Sequence, residues 1–181
     1  MNDLSGQIAE ATRARARLLD VVHLFTPDQG VFRPAPNEWS VAENLEHLVL
    51  AEQGAVNRVW SAADAARAGR PVWEGEPVHR GRSIEEIVKL TWIPGQEAPE
   101  IARPRRGGPL SYWILALRCN QPLLEALPAR LQGLDPEEVI TPHPISGPWD
   151  AGQWLDFVRF HLDLHRAQIE AVTRAGAFPR L

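Results

Sequence analysis

Cysteine is nearly absent from this 181-residue chain. Cys119 stands alone, which excludes an internal disulfide framework and any zinc site built from several thiolates. Flanked by Leu117, Arg118 and Asn120, its thiol reads as a small core residue. Long hydrophobic runs are missing as well. No window approaches about 18 apolar residues, and Met1, Asn2 and Asp3 do not open a basic segment leading into an apolar one, so the expected setting is soluble and cytoplasmic, with no membrane partner. Positive charge is not in excess. A formal net charge of -4 is unlike a domain that holds phosphate backbones, and nucleic acid is not an expected partner. Sustained two-residue alternation and Asn-Gly or Asp-Gly hairpin turns are also lacking, which argues against a sheet protein. Nor is there a G-x-S-x-G elbow, a phosphate loop ending in G-K-[ST], a G-x-G-x-x-G turn, or the repeated E-x-x-H of di-iron bundles.

What is present is ordinary globular composition, 44% hydrophobic and 23% charged, with no internal repeat and no shift that would divide the chain. One domain over residues 1–181 is expected. At this size roughly 70% of the unfolded chain's surface is buried on folding, enough for a full core. The unusual features are 16 prolines and seven tryptophans. Proline lacks the amide donor and clashes with the preceding helical turn, so proline-free stretches mark where long helices can lie.

Those stretches are 1–26, 37–70, 78–93, 110–121 and 149–178. In the first, Leu4, Ile8, Ala11, Leu18, Val22 and Phe25 share one arc of a helical wheel, with Arg15 inside the arc as a snorkelling side chain. In the second, Ser40 and Glu43 form a capping box that opens a helix over about 40–68. Its apolar stripe is Val41, Leu45, Leu48, Glu52, Val56 and Val59. A short helix is expected from Ser83 to Trp92, and a third long one over about 109–131, broken or kinked at Pro122 and Pro128. The last begins with a second capping box, Asp150 and Gln153, and stops at Gly176. The predicted fold is all-α: a four-helix bundle with a long connection, roughly 70–109, between its second and third helices.

On the last helix, His161 and His165 lie about 20° either side of the direction set by Trp154 and Val172, inside an otherwise apolar face. Two buried imidazoles need partners for four ring nitrogens, or they cost about 1–3 kcal/mol each in unmet hydrogen bonds. One metal ion solves this, because residues i and i+4 sit about 6 Å apart and can converge on an ion at about 2.0–2.1 Å. The segment lacks the intervening glutamate of H-E-x-x-H proteases; Leu162, Asp163 and Leu164 fill the gap. Two ligands are too few, and His47, at the edge of the second helix's stripe beside Asn44 and Ala51, is the best third. Glu43, one turn earlier, is placed to orient it. His23, His79 and His143 are weaker candidates, and Glu43, Glu46 and His143 are the fallbacks should His47 fail.

Two segments carry a resemblance. Asn37-Glu38-Trp39-Ser40-Val41-Ala42-Glu43-Asn44-Leu45-Glu46-His47-Leu48 looks like the "W-S … H-L" helix of the DinB/YfiT-like metalloenzyme family, formerly grouped as damage-inducible proteins. His143-Pro144-Ile145-Ser146-Gly147, then Trp154, Phe157, His161 and His165, is similar to that family's "H-P-x-x-G … H-x-x-x-H" ending. The resemblance implies a four-helix bundle holding one divalent ion, often nickel or zinc, through His47, His161 and His165; Glu43 and His143 are the candidate neighbours of those ligands. It also implies a homodimer in some members, and thiol-dependent transferases or isomerases that use low-molecular-weight thiols.

Three readings of function follow. The first is a metal-dependent enzyme, a thiol S-transferase or hydrolase acting on a small molecule, in which three neutral histidines leave an open coordination position. Arg103, Arg105 and Arg106, with Arg80 and Arg82, are then candidate carboxylate binders, set against a simply solvated loop. The second is a non-catalytic metal-binding or stress-response protein. The third is an interaction module using Trp73, Trp92 and Trp113 as a partner or dimer surface.

Overall fold

The computed structural model describes residues 4–180. Residues 1–3, on which the reading of the N-terminus rests, and Leu181 lie outside the described residues. In chain order the elements are α1 (Ser5–Val22), α2 (Pro27–Val31), α3 (Val41–Arg67), α4 (Ile84–Thr91), a 3-10 turn (Glu100–Ala102), α5 (Leu110–Cys119), α6 (Gln121–Glu125), α7 (Leu127–Leu131), the strands β1 (Ile140–His143) and β2 (Gly147–Asp150), and α8 (Ala151–Thr173).

The capping boxes seen in the sequence form at both long helices. Ser40 accepts from the Glu43 amide while the Glu43 side chain accepts from Ser40, and Asp150 and Gln153 do the same for α8. Ser83 and Glu86 repeat the device at α4. So do Thr26 and Gln29 at α2, a short helix outside the proline-free stretches, with Pro27 in its opening turn. At the first helical position proline loses no hydrogen bond. Pro122 and Pro128 act in the same way: each falls in the opening turn of a new segment, so the third long helix is delivered in three pieces, α5 to α7.

Helix α8 packs on α1 and α3, and α3 packs in turn on α5 and α7. The protein is therefore a mostly helical bundle, with the long connection after α3 folded over one end as α4 and the 3-10 turn. Leu18, Leu45, Leu48, Trp113, Leu117 and Leu162 fill the core at 2% exposure or less. Among the described residues no helix is long and apolar enough to cross a membrane.

One sheet element escaped the sequence. β1 and β2 pair antiparallel, from Ile140 opposite Asp150 to His143 opposite Gly147. Pro142 faces Pro148 across this pair, and two prolines without amides leave neither alternation nor a turn signature to read. Gly147, with φ of 82°, supplies the left-handed residue that the tight return needs. The turn is fixed from outside: the His79 Nε2–H donates to the Ser146 carbonyl at 2.7 Å, and the Ser146 hydroxyl accepts from Trp92 Nε1 at 3.1 Å.

Three expectations are corrected here. Cys119 is exposed rather than a core residue, because α5 ends at that position with the thiol on its outer side. Arg15 does not snorkel. It is 3% exposed and donates to the Glu52 carboxylate, itself 5% exposed, whose other oxygen accepts from Asn120 Nδ2 at 3.2 Å. Trp113 is no surface residue either, being 1% exposed with its Nε1–H donating to the Gly107 carbonyl. All seven tryptophans are buried or half-buried, so their excess is consumed inside the chain.

Candidate metal centre

Helices α3 and α8 bring three histidines together. His47, His161 and His165 are 4%, 7% and 4% exposed, and their candidate donor atoms all lie within 4.8 Å of one another. His161 is the middle member: its Nε2 is 3.0 Å from Nε2 of His47 and 3.1 Å from Nε2 of His165. Three nitrogens around one tetrahedral ion at about 2.0–2.1 Å stand about 3.3 Å apart, and the two contacts of His161 lie within a few tenths of an ångström of that spacing.

The protons on the far sides of two rings decide what the near sides can do. His47 Nδ1 lies 2.8 Å from the Ala102 carbonyl, which can only accept. His165 Nδ1 lies 2.8 Å from Oδ1 of Asn44, whose amide nitrogen is committed to the Ser40 carbonyl at 2.9 Å. Both Nδ1 atoms therefore carry the proton, and both Nε2 atoms present lone pairs toward His161. A single N–H on His161 cannot satisfy two lone pairs. Burial holds the His161 and His165 imidazoles well below the ordinary histidine range, and His47 is lowered for the same reason, so an added proton is a poor solution. A divalent cation meets all three lone pairs, and the donor set fits one.

The orienting groups are not those expected from the sequence. Glu43 does not touch His47; its carboxylate caps α3 and pairs with Arg33. The residue one turn from His47 that bears on the site is Asn44, through His165, a role legible only as its place on the histidine face of α3. The Ala102 carbonyl left no signal at all, since a backbone group 55 residues away has no side-chain signature. His143 stands one ring back. It stacks on Trp149 with centroids 3.9 Å apart and contacts Phe157, which in turn stacks on His161 at 4.8 Å. Its Nδ1 accepts from the amides of Ile145 and Ser146.

Glu46 has a different task from the fallback ligand role considered for it. Fully buried, its carboxylate accepts from the backbone amides of Arg105, Arg106 and Gly107 at 2.8, 2.7 and 3.1 Å. It thereby pins to α3 the loop that carries the Ala102 carbonyl. Glu46→Gln replaces one accepting oxygen with an amide NH2 that faces donors. The expected result is a tenfold to hundredfold loss of metal affinity with helical content retained, read by competition with a chromophoric chelator; unchanged affinity would show that the loop orients itself.

The arginines divide. Arg105 and Arg106 bind Glu46 through their amides, the Arg105 side chain folds onto the Glu100 and Ile101 carbonyls, and Arg80 pairs with Glu137 and Glu138. Of the five named from the sequence, Arg103 alone lines the cavity beside the histidines, and it is paired with Glu97. That cavity has a volume of about 730 Å³, with Trp39, Trp92, Phe157 and the three histidines in its wall. Trp39 covers the histidines, its ring 4.9 Å from that of His47 and stacked on His165 at 6.2 Å.

Comparison with known families bears on the same helices. The model of the DinB superfamily matches residues 10–169, from α1 to the last third of α8 and across all three histidines. The chain belongs to the DinB superfamily. No curated protein and no solved structure gives a significant match. For this DinB superfamily protein the resemblance drawn from two short segments thus extends over most of the chain.

The buried histidines set the response to acid. His143 is lowered to about 3, first by burial and then by the charge of Arg58, and the triad is lowered by burial. Below the unfolded value of about 6.5, the unfolded chain takes up protons that the folded chain refuses, so stability is full above that pH and falls as pH drops toward the folded values. The expected slope is about 1.4 kcal/mol per pH unit for each histidine involved. Chemical denaturation at pH 7.5 and 5.5 checks this; equal stability at the two would contradict it.

Proposed function

We propose that this DinB superfamily protein is a metal-dependent enzyme acting on a small molecule, as a thiol S-transferase or hydrolase, with His47, His161 and His165 holding one divalent ion, nickel or zinc. The observation that carries the reading is that the cavity of about 730 Å³ meets the three histidines. A knitting ion in a closed core has no use for such a space. An ion in this position supplies Lewis acidity, lowering the pKa of a thiol or water brought beside it toward neutrality. The chain's own residues do the rest. Ala102 and Asn44 keep the protons on Nδ1 so that neutral Nε2 atoms face inward. With three uncharged ligands the positive charge of the ion stays available to a fourth partner. Trp39 and Phe157 close two sides of the triad against bulk water, and the His143 ring lines the wall beyond.

The alternative is a metal-binding protein without catalysis. Cobalt-loaded protein separates the two: addition of a small thiol is expected to change the visible spectrum if the fourth position is reachable, and a transfer and hydrolysis screen with metal restored is then expected to show turnover. A spectrum indifferent to millimolar thiol would favour the closed, structural role. A homodimer and a low-molecular-weight thiol as cosubstrate belong to the same proposal; light scattering tests the first.

A further inference from the structure

Along α3 the residues lining the cavity include His47, Leu50, Ala51, Gly54, Ala55 and Arg58. They recur at helical spacing, so one stripe of the helix forms the floor, with a ligand histidine toward one end, an arginine at the other, and Leu50 and the small Ala51, Gly54 and Ala55 between. A Cβ built on Gly54 meets nothing within 4 Å, so the floor is open at that point. The eleven residue steps from His47 to Arg58 span about 16 Å of helix, and the arginine side chain leans back toward the N-terminus, shortening the gap.

Arg58 is half-buried, yet its guanidinium has no carboxylate partner among the described residues. Among the described residues its one hydrogen bond runs from Nη1 to the Pro142 carbonyl at 3.5 Å, a weak one. The other cation in the wall, Arg103, is neutralised by Glu97. A partly desolvated guanidinium without an anion, facing a cavity, is a position for a carboxylate or phosphate, which it can grip through two parallel N–H bonds.

We propose that the cavity takes an elongated small molecule with its reacting end at the histidine triad and an anionic group, carboxylate or phosphate, held by Arg58 at the far end. This rests on the metal-site reading for the placement of the reacting end, but not for the anion site. Trp92 and Trp154, which also line the cavity, suit an apolar or flat middle portion.

Mercaptoalkanoates of roughly six to eleven carbons serve as probes. They are compared by calorimetry with the mercaptoalcohols and mercaptoalkyl phosphates of equal length, on zinc-loaded protein and on protein freed of metal. The anionic probes are expected to bind about tenfold or more tightly than the alcohols, with an optimum length, and the better of carboxylate and phosphate identifies the natural group. Arg58→Gln is expected to erase that preference while leaving alcohol binding and metal content unchanged. Gly54→Leu, which adds a side chain to open space on a helix that tolerates it, is expected to weaken acids and alcohols alike. Equal binding of acid and alcohol by wild-type protein, or a preference that survives in Arg58→Gln, would overturn the proposal. Failure of the metal reading is distinguishable: thiol probes would then bind equally with and without zinc, while the acid preference and its loss in Arg58→Gln would remain.

Discussion

Glu52→Leu is expected to destabilise the fold by about 3–5 kcal/mol, the cost of leaving a buried charge without its partner. Arg15 and Glu52 lie between α1 and α3 at 3% and 5% exposure. The guanidinium has no second anion to turn to, and its Nε and Nη1 already lack hydrogen-bond partners among the described residues. On the carboxylate side, burial raises the Glu52 pKa against the opposing pull of Arg15 and Asn120, so desolvation is the larger influence on this pair. Arg15→Met combined with Glu52→Leu is therefore expected to recover most of the loss, since an apolar pair of similar volume often replaces a buried ion pair at little or no net cost. Urea denaturation of the two single variants and the double variant gives the coupling. A single variant costing under about 1 kcal/mol would mean that the pair is reached by water.

His161→Ala is expected to abolish stoichiometric metal. His161 is the histidine whose Nε2 approaches both others at 3.0 and 3.1 Å, and His47 and His165 alone leave two donors on different helices. Loss of the ion carries a stability penalty by mass action: at a free metal concentration of a thousand times Kd, binding stabilises the native state by about 4 kcal/mol. Wild-type protein treated with a chelator and His161→Ala without treatment should therefore melt lower than metal-loaded wild type. His79→Ala is the contrasting case. Its ring is bonded to the hairpin turn and not to the triad, so its metal content is expected to equal that of wild type. Retention of one ion by His161→Ala would remove that residue from the site.

Much of this arrangement was legible in the sequence, for physical reasons that can be named. Capping boxes at Ser40 and Asp150 are local, two-sided hydrogen-bond devices, and they set the starts of α3 and α8. The i, i+4 spacing of His161 and His165 on an apolar face marked both as buried groups in need of partners. His47 was visible through its motif and through marginal wheel geometry, which put it at the stripe's edge, whereas the loop held by Glu46 buries it to 4% exposure. That loop was the illegible part. Its arginines invited a reading from side-chain charge, but Arg105, Arg106 and Gly107 act through backbone amides that any sequence would supply. The β1–β2 hairpin was hidden by Pro142 and Pro148, and Arg15 by the absence of any local sign that Glu52, 37 residues away, lies opposite it.

The most direct test of the triad is the metal content of protein stripped of ions, titrated with zinc or nickel and dialysed. Wild-type chain is measured beside a variant carrying His47→Ala, His161→Ala and His165→Ala together. About one ion per chain in the wild type and none in the triple variant is the expected result. An empty wild type, or equal content in the two proteins, would contradict the assignment of these three histidines as a metal site.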